Sequence, residues 1–253
     1  MPSYIDGRPW SYYVPEEITS PLFAEAFRRG CKGQKTDAKY LQPGPLAMFG
    51  TPGRWRVLQA AIAEGRTWYY ADHQYVGRNR MIRITRNAYQ HDGTGEATPD
   101  RFARFRLAIE PWRRSGSHVL VCMQSPGFME LHGLSTDDWL EMVQTAVAAV
   151  SDRPVRVRMK SESYRRPIGR DLKDAWAVVV FSSGAALDAL LAGIPVFVTA
   201  PWAAAYRMGC PDLAQIETPV YPDDREPFFW NLAERQFTFD EIARGYAWAK
   251  LQE

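Results

Sequence analysis

Cysteine is scarce in this chain: 253 residues contain three, at Cys31, Cys122 and Cys210. They lie far apart and form no paired spacing, which argues against a disulfide framework or a zinc site. Cys122, inside the apolar run His118-Val-Leu-Val-Cys-Met, reads as a core residue. Long hydrophobic runs are also missing, and no stretch approaches the length of a membrane span. The opening Met1-Pro-Ser-Tyr-Ile-Asp lacks the basic and apolar regions of a secretory signal, so a soluble, cytoplasmic protein is expected. Neither a Gly-x-Gly-x-x-Gly fingerprint nor a Gly-x-x-x-x-Gly-Lys-Ser/Thr loop occurs, which argues against dinucleotide redox chemistry and P-loop phosphotransfer. Charge of one sign is not in excess either. The formal net charge is +2, which points neither toward nor away from a polyanionic partner.

Lysine is rare beside arginine, at 6 against 25. The guanidinium fork suits bidentate recognition of phosphate or carboxylate, although coding bias would produce the same ratio. Arg78, Arg80, Arg83 and Arg86 fall close together, followed by Arg101, Arg104 and Arg106. Such a basic field fits nucleic acid or a sugar phosphate, or is simply a solvated face.

The most informative stretch runs from Trp176 to Thr199. Ala177 to Phe181 is continuously apolar, as in a parallel strand covered on both faces. Ser182, Ser183 and Gly184 follow at its carboxyl end, a helix begins near Ala185, and Gly193-Ile-Pro195 stops that helix before a second buried strand. The hydroxyls, the helix N–H groups and an approachable glycine backbone would together accept an anion; alternatively Ser182 is only a helix cap and Gly184 only relieves crowding.

Upstream, Leu46–Gly50 reads as a strand, Trp55–Glu64 as an amphipathic helix, Thr67–His73 as a strand and Arg80–Arg86 as a half-exposed strand or hairpin. Val119–Met123 opens a second set. A turn at Ser125-Pro-Gly127 follows, then a helix over Thr136–Val150 capped by Ser135, and a strand over Pro154–Lys160. The pattern predicts an α/β protein of two small Rossmann-like halves facing a cleft. Residues 1–44 are expected to be an irregular aromatic arm with one short helix near Pro21–Arg29. Residues 45–115 would form the first half, 116–231 the second, and 232–253 a C-terminal amphipathic helix over Phe239–Leu251. Ligands in such sheets lie beyond the carboxyl ends of strands, which nominates Gly50, Asp72, His73, Gln124, Lys160 and Ser182–Gly184.

The segment SSGAALDALLAGIPVF, Ser182 to Phe197, resembles the donor-binding half of GT-B glycosyltransferases, particularly capsule-type Kdo-transferase relatives. A wider pattern is similar to small glycosyltransferase-like proteins of tailed phages: Tyr70-Ala-Asp-His73, Arg83-Ile-Thr-Arg-Asn87, Pro111-Trp-Arg113, Ser117-His-Val-Leu-Val-Cys122, Met208-Gly, Asp212-Leu, Ile216-Glu-x-Pro219 and Gln236-Phe-Thr238. No His-Pro pair follows the Lys160 strand, a departure from the capsule enzymes that leaves the sugar open. The resemblance implies transfer of a sugar from a nucleotide-sugar co-substrate, with no other cofactor, to an acceptor hydroxyl. A 5-hydroxymethylpyrimidine in phage DNA is one candidate acceptor and a surface glycan another.

Such chemistry needs a base for the acceptor and positive charge for the departing phosphate. Asp72 is the first candidate base and His73 the second; adjacent strand residues face opposite ways, so one of them would meet the ligand. Asp72 would otherwise cap the loop or pair with Arg78 or Arg80. Arg158 and Lys160, two apart on one strand, would share a face toward the donor phosphate, unless Arg158 is a surface residue. No Asp-x-Asp pair stands ready for a metal, so metal-independent transfer is expected. Ser182, Ser183, Gly184 and Ala185 would complete the donor site, Glu217 would hold the ribose by analogy with GT-B enzymes, and Arg78, Arg80 and Arg83 would bind the acceptor. Asp223-Asp224-Arg225 would close the cleft or form a turn. His118 and His132 receive no role. The competing readings are a non-catalytic nucleic-acid-binding protein using the basic 78–106 segment and an epimerase of nucleotide sugars.

Overall fold

In the computed structural model the residues described are 3–5, 8–13, 19–33, 44–50, 55–77, 81–161 and 166–253, with side chains from residue 22 onward. The chain divides into two units, Met1–Gln90 with Glu234–Glu253, and His91–Ala233. The division therefore falls at 90/91 and 233/234, where the sequence pattern placed it at 115/116 and 231/232.

The first unit contains β1 (Ser3–Ile5), β2 (Arg8–Tyr13), α1 (Thr19–Gly30), β3 (Leu46–Phe49), α2 (Trp55–Ala63), β4 (Trp68–His73) and β5 (Ile82–Arg86). The second contributes α3 (Pro99–Ala103), β6 (His118–Cys122), α4 (Pro126–Leu131), α5 (Thr136–Ala148), β7 (Val155–Arg158), β8 (Ala175–Val180), α6 (Ala185–Leu191), β9 (Val196–Val198) and α7 (Arg225–Glu234). The chain then returns to the first unit with β10 (Gln236–Phe237), α8 (Phe239–Ala243) and α9 (Tyr246–Lys250).

Six strands in the order β1-β2-β3-β4-β5-β10 form the sheet of the first unit. Strands β2, β3 and β4 run parallel, while β5 returns antiparallel to β4. Among the described residues of the N-terminal segment, β1 and β2 are thus paired strands rather than an irregular arm. Their backbone extends the sheet, because β2 pairs in parallel with β3 from Ser11 to Tyr13. Phe23, Phe27, Phe49, Tyr69, Ile84 and Phe237 fill the core between this sheet and α1 and α8. Gln236, fully buried on β10, accepts the N–H groups of Tyr75 and Val76 and donates to the Val76 carbonyl, fixing the chain that leaves β4.

The tail is two short helices rather than one. Thr238 and Glu241 form a reciprocal capping box that starts α8, and Gly245, at φ +84°, ends it. Contact with α1 requires the break. A Cβ on Gly30 would stand 1.9 Å from the Ile242 carbonyl oxygen, so this helix end admits only glycine.

The second unit holds an all-parallel sheet in the order β7-β6-β8-β9. Every residue of β6, β8 and β9 is buried, as continuous apolar runs in a covered parallel sheet require. Ser135 caps α5 as expected, accepting the N–H groups of Asp137 and Asp138. The expected turn at Ser125-Pro-Gly127 instead opens α4, with Pro126 at its first position, where a missing N–H costs nothing. Arg225, the first residue of α7, donates to the Glu110 and Leu190 carbonyls and lies 3.8 Å over the Trp112 ring. With Asp224 paired to Arg207, the Asp223–Arg225 segment is a structural anchor rather than a closing lid.

Burial lowers the basicity of both His118 and His132, the latter stacked on Trp202 at 4.7 Å. A depressed folded-state pKa means the unfolded chain takes up protons first as pH falls. The stabilisation is therefore complete above the unfolded histidine value of about 6.5 and is lost as pH drops below it toward the folded value. A lower urea midpoint at pH 5.5 than at pH 7.5 is expected, with the difference reduced in His132→Phe; identical slopes in both proteins would refute the assignment.

Candidate functional site

The second sheet changes direction between β6 and β8: from β6 the chain goes outward to β7, then crosses back to lay β8 on the other side of β6. Connections on either side of such a point diverge and leave a crevice beyond the carboxyl ends of the two strands. Cys122 is in register with both Arg158 on β7 and Val180 on β8, so the three strands end level. Gln124 and Ser182 each lie two residues beyond this last register pair.

Ser182 is buried, Ser183 is half-buried and Gly184 is exposed. The Ser183 hydroxyl accepts the N–H of Ala185, the first residue of α6, at 3.4 Å. Gly184 has an ordinary helical φ of −58°, and a Cβ added there would meet nothing within 4 Å. It therefore does not relieve crowding; the space above it is open. Gln124 offers a buried side-chain oxygen, Oε1, that receives no hydrogen bond from the described residues. A buried carbonyl without a donor is costly, and such atoms commonly mark a missing ligand or water. Phe128, His132, Phe181 and Trp202 pack edge-on or stacked against one another behind this edge, with ring centroids 4.7 to 5.7 Å apart.

Lys160 and Arg158 do not share a strand face. β7 ends at Arg158, and Lys160 lies two residues beyond it in a short 3-10 turn, exposed at the same carboxyl edge. Arg158 is buried and ion-paired with Asp171, and it donates to the Arg166 carbonyl; Arg166 also pairs with Asp171 at 2.6 Å. Its charge is spent on tethering the chain after β7, not on a ligand. The sequence offered no sign of Asp171 as a partner, because 13 residues separate it from Arg158. Glu217 is also placed elsewhere. It accepts from Ser151 and pairs with Arg153 at 2.9 Å, and Arg153 in turn donates to the Gly116 carbonyl. These contacts put it beside the amino ends of β6 and β7, the opposite edge from Ser182, so it does not hold a ribose there. Ser151 and Arg153 keep the Glu217 carboxyl below its usual range despite an opposing burial effect.

In the first unit, Asp72 stands directly opposite Arg83 across the β4–β5 pair. Its carboxylate accepts from Arg83 Nη2 at 2.8 Å and from the His73 backbone N–H at 2.7 Å. Arg83 is buried and lies 5.0 Å over the Tyr75 ring. Burial opposes its charge, but Asp72, Tyr75 and Tyr70 outweigh that effect and raise its pKa. Arg83 is therefore not an acceptor-binding cation, and among the described residues it is the ion-pair partner of Asp72. Arg78 and Arg80 lie outside the described residues. His73 is exposed at the end of β4, its ring edge-on to Phe49 at 5.5 Å. Gly50 adopts φ +61° and donates to the Ala71 carbonyl, shaping the backbone beside it. The basic 78–106 segment is not one solvated face: Arg101 is buried like Arg83, donating to the Ala233 carbonyl, and Arg86 and Arg104 belong to different units.

Among the described residues, no helix is long and apolar enough to cross a membrane. No protein-family model and no curated relative matches this sequence. Solved structures do. The chain is similar to the β-Kdo 2,4-transferase of Thermosulfurimonas dismutans KpsC, with 13% identity, 88% of this chain and 89% of that chain covered, and a TM-score of 0.52. It is similar also to the β-Kdo 2,7-transferase of the same KpsC, with 12% identity, 95% and 99% covered, and a TM-score of 0.51. The architecture is accordingly that of an α/β protein with one mixed and one all-parallel sheet and Rossmann-like, GT-B-type structural neighbours.

Proposed function

We propose that this chain is a metal-independent, GT-B-type glycosyltransferase that moves a sugar from a nucleotide-sugar donor to an acceptor hydroxyl, with the donor held at the carboxyl edge of the four-stranded sheet. The observation that carries the reading is the buried Gln124 Oε1, which receives no hydrogen bond from the described residues, at the point where strand order reverses. The KpsC modules of like fold are named as Kdo transferases, which supports sugar transfer as the chemistry. In this reading a donor N–H or O–H satisfies Gln124, Ser182 and Ser183 contribute hydroxyls, and Gly184 leaves room for the phosphate. Lys160 supplies the cation that stabilises the departing phosphate. His73, exposed at the end of β4, is the proton acceptor in this reading, because the Asp72 carboxylate is held in an ion pair with buried Arg83.

A thermal-shift panel of nucleotide sugars tests the donor site. A donor at about 100 times its Kd should raise the Tm by roughly 5–10 °C. Gly184→Leu should fold equally well, because its side chain enters open space, yet lose that shift. No shift with any donor, or the same shift in Gly184→Leu, would contradict the reading. Acceptor assays on glycans and on hydroxymethylated DNA then identify the second substrate, and transfer should survive chelation. Salt-dependent DNA binding without any donor binding would favour the nucleic-acid-binding alternative.

A further inference from the structure

A cavity of about 550 Å³ opens at the amino edge of the second sheet, lined in part by Arg113, Gly116, Arg170, Lys173 and Asp174. Its walls are the chain entering β6 and the chain entering β8. The edge is opposite the one that carries Ser182 and Gln124. The five residues of β6 separate the two by roughly 16 Å at about 3.3 Å per residue. The size falls within the usual range for small-molecule sites.

The walls are fixed. Arg113 donates its backbone N–H to the Gly193 carbonyl at 2.7 Å and its Nη1 to the Leu172 carbonyl at 3.0 Å. Ser117 donates its backbone N–H to the Asp174 carbonyl at 2.7 Å. Gly116 backs onto β8 so closely that a Cβ would lie 2.3 Å from the Trp176 nitrogen. Its carbonyl is held by Arg153, whose guanidinium lies 4.2 Å over the Trp176 ring. Against this scaffold Arg170 and Lys173 are exposed, and neither has an ion-pair partner among the described residues. Among the described lining residues three cations, Arg113, Arg170 and Lys173, thus accompany one carboxylate, Asp174, an excess that an anion would neutralise.

We propose that this cavity is a second ligand site, for a phosphorylated polyol such as a sugar phosphate. Arg170, Lys173 and the remaining N–H groups of Arg113 receive the phosphate, while the Asp174 carboxylate accepts from ligand hydroxyls. The inference stands apart from the proposed donor site, which occupies other residues.

Calorimetric titration of the full chain with ribose 5-phosphate, at low salt, tests it. Saturable binding is expected, weakened by about tenfold or more in the Arg170→Ala/Lys173→Ala double variant. Both positions are exposed, and circular dichroism checks that the fold is unchanged. Gly184→Leu should bind ribose 5-phosphate as the parent does. Asp174→Asn should weaken ribose 5-phosphate while leaving inorganic phosphate as tight or tighter. Absence of binding, or binding undiminished in the double variant, would overturn the site. Inorganic phosphate binding as tightly as ribose 5-phosphate to the parent would overturn the polyol assignment.

Discussion

Replacing Asp171 with alanine is expected to destabilise the protein by about 3–5 kcal/mol, the usual cost of leaving a buried ionic partner alone. The side chains of Arg158 and Asp171 are only 6% and 14% exposed, and Asp171 also holds Arg166. Truncation would strand the Arg158 guanidinium beneath the carboxyl edge and release the chain that follows β7. Urea denaturation measures the loss. Arg158→Met, which removes the charge while keeping apolar bulk, should cost less, because it leaves no unpaired cation inside. A loss below about 1 kcal/mol for Asp171→Ala would mean that the pair behaves like an ordinary surface bridge. Because Lys160 stands just beyond Arg158, the same variant should also weaken donor binding.

His73→Ala is expected to lower kcat by about 100- to 10,000-fold, the range for loss of a positioned proton acceptor, while leaving donor binding intact. Asp72→Asn should keep most turnover but lose stability, since Arg83 would remain buried beside an uncharged partner. Steady-state kinetics with a denaturation curve for each variant separates the two effects. Abolished turnover in well-folded Asp72→Asn, with His73→Ala active, would reverse the roles.

The β8–α6–β9 unit was legible because each of its signals is local: a continuous apolar run, a small polar turn, then Gly193 and Pro195. The same holds for β3, α2 and β4. What escaped depends on partners distant in sequence. Arg83 reads as an exposed cation until the β4–β5 register sets it opposite Asp72. Arg158 reads as a phosphate ligand until Asp171 folds back onto it, and that pairing ends β7 before Lys160. Glu217 carried a role by analogy alone, and its bonds to Ser151 and Arg153 place it at the other edge. The tail looked like one helix because its apolar period continues through Gly245, whereas the break answers to Gly30 on α1. The basic cavity joins residues near 113 to others near 170, a juxtaposition that only the parallel pairing of β6 and β8 creates.

The most direct test of the central claim is hydrogen–deuterium exchange on the full chain, with and without a saturating nucleotide sugar. The amides of Gln124 to Gly127 and of Ser182 to Leu187 are expected to become protected together, at the carboxyl ends of β6 and β8. Protection confined to other segments, or none at saturating donor, would contradict that claim.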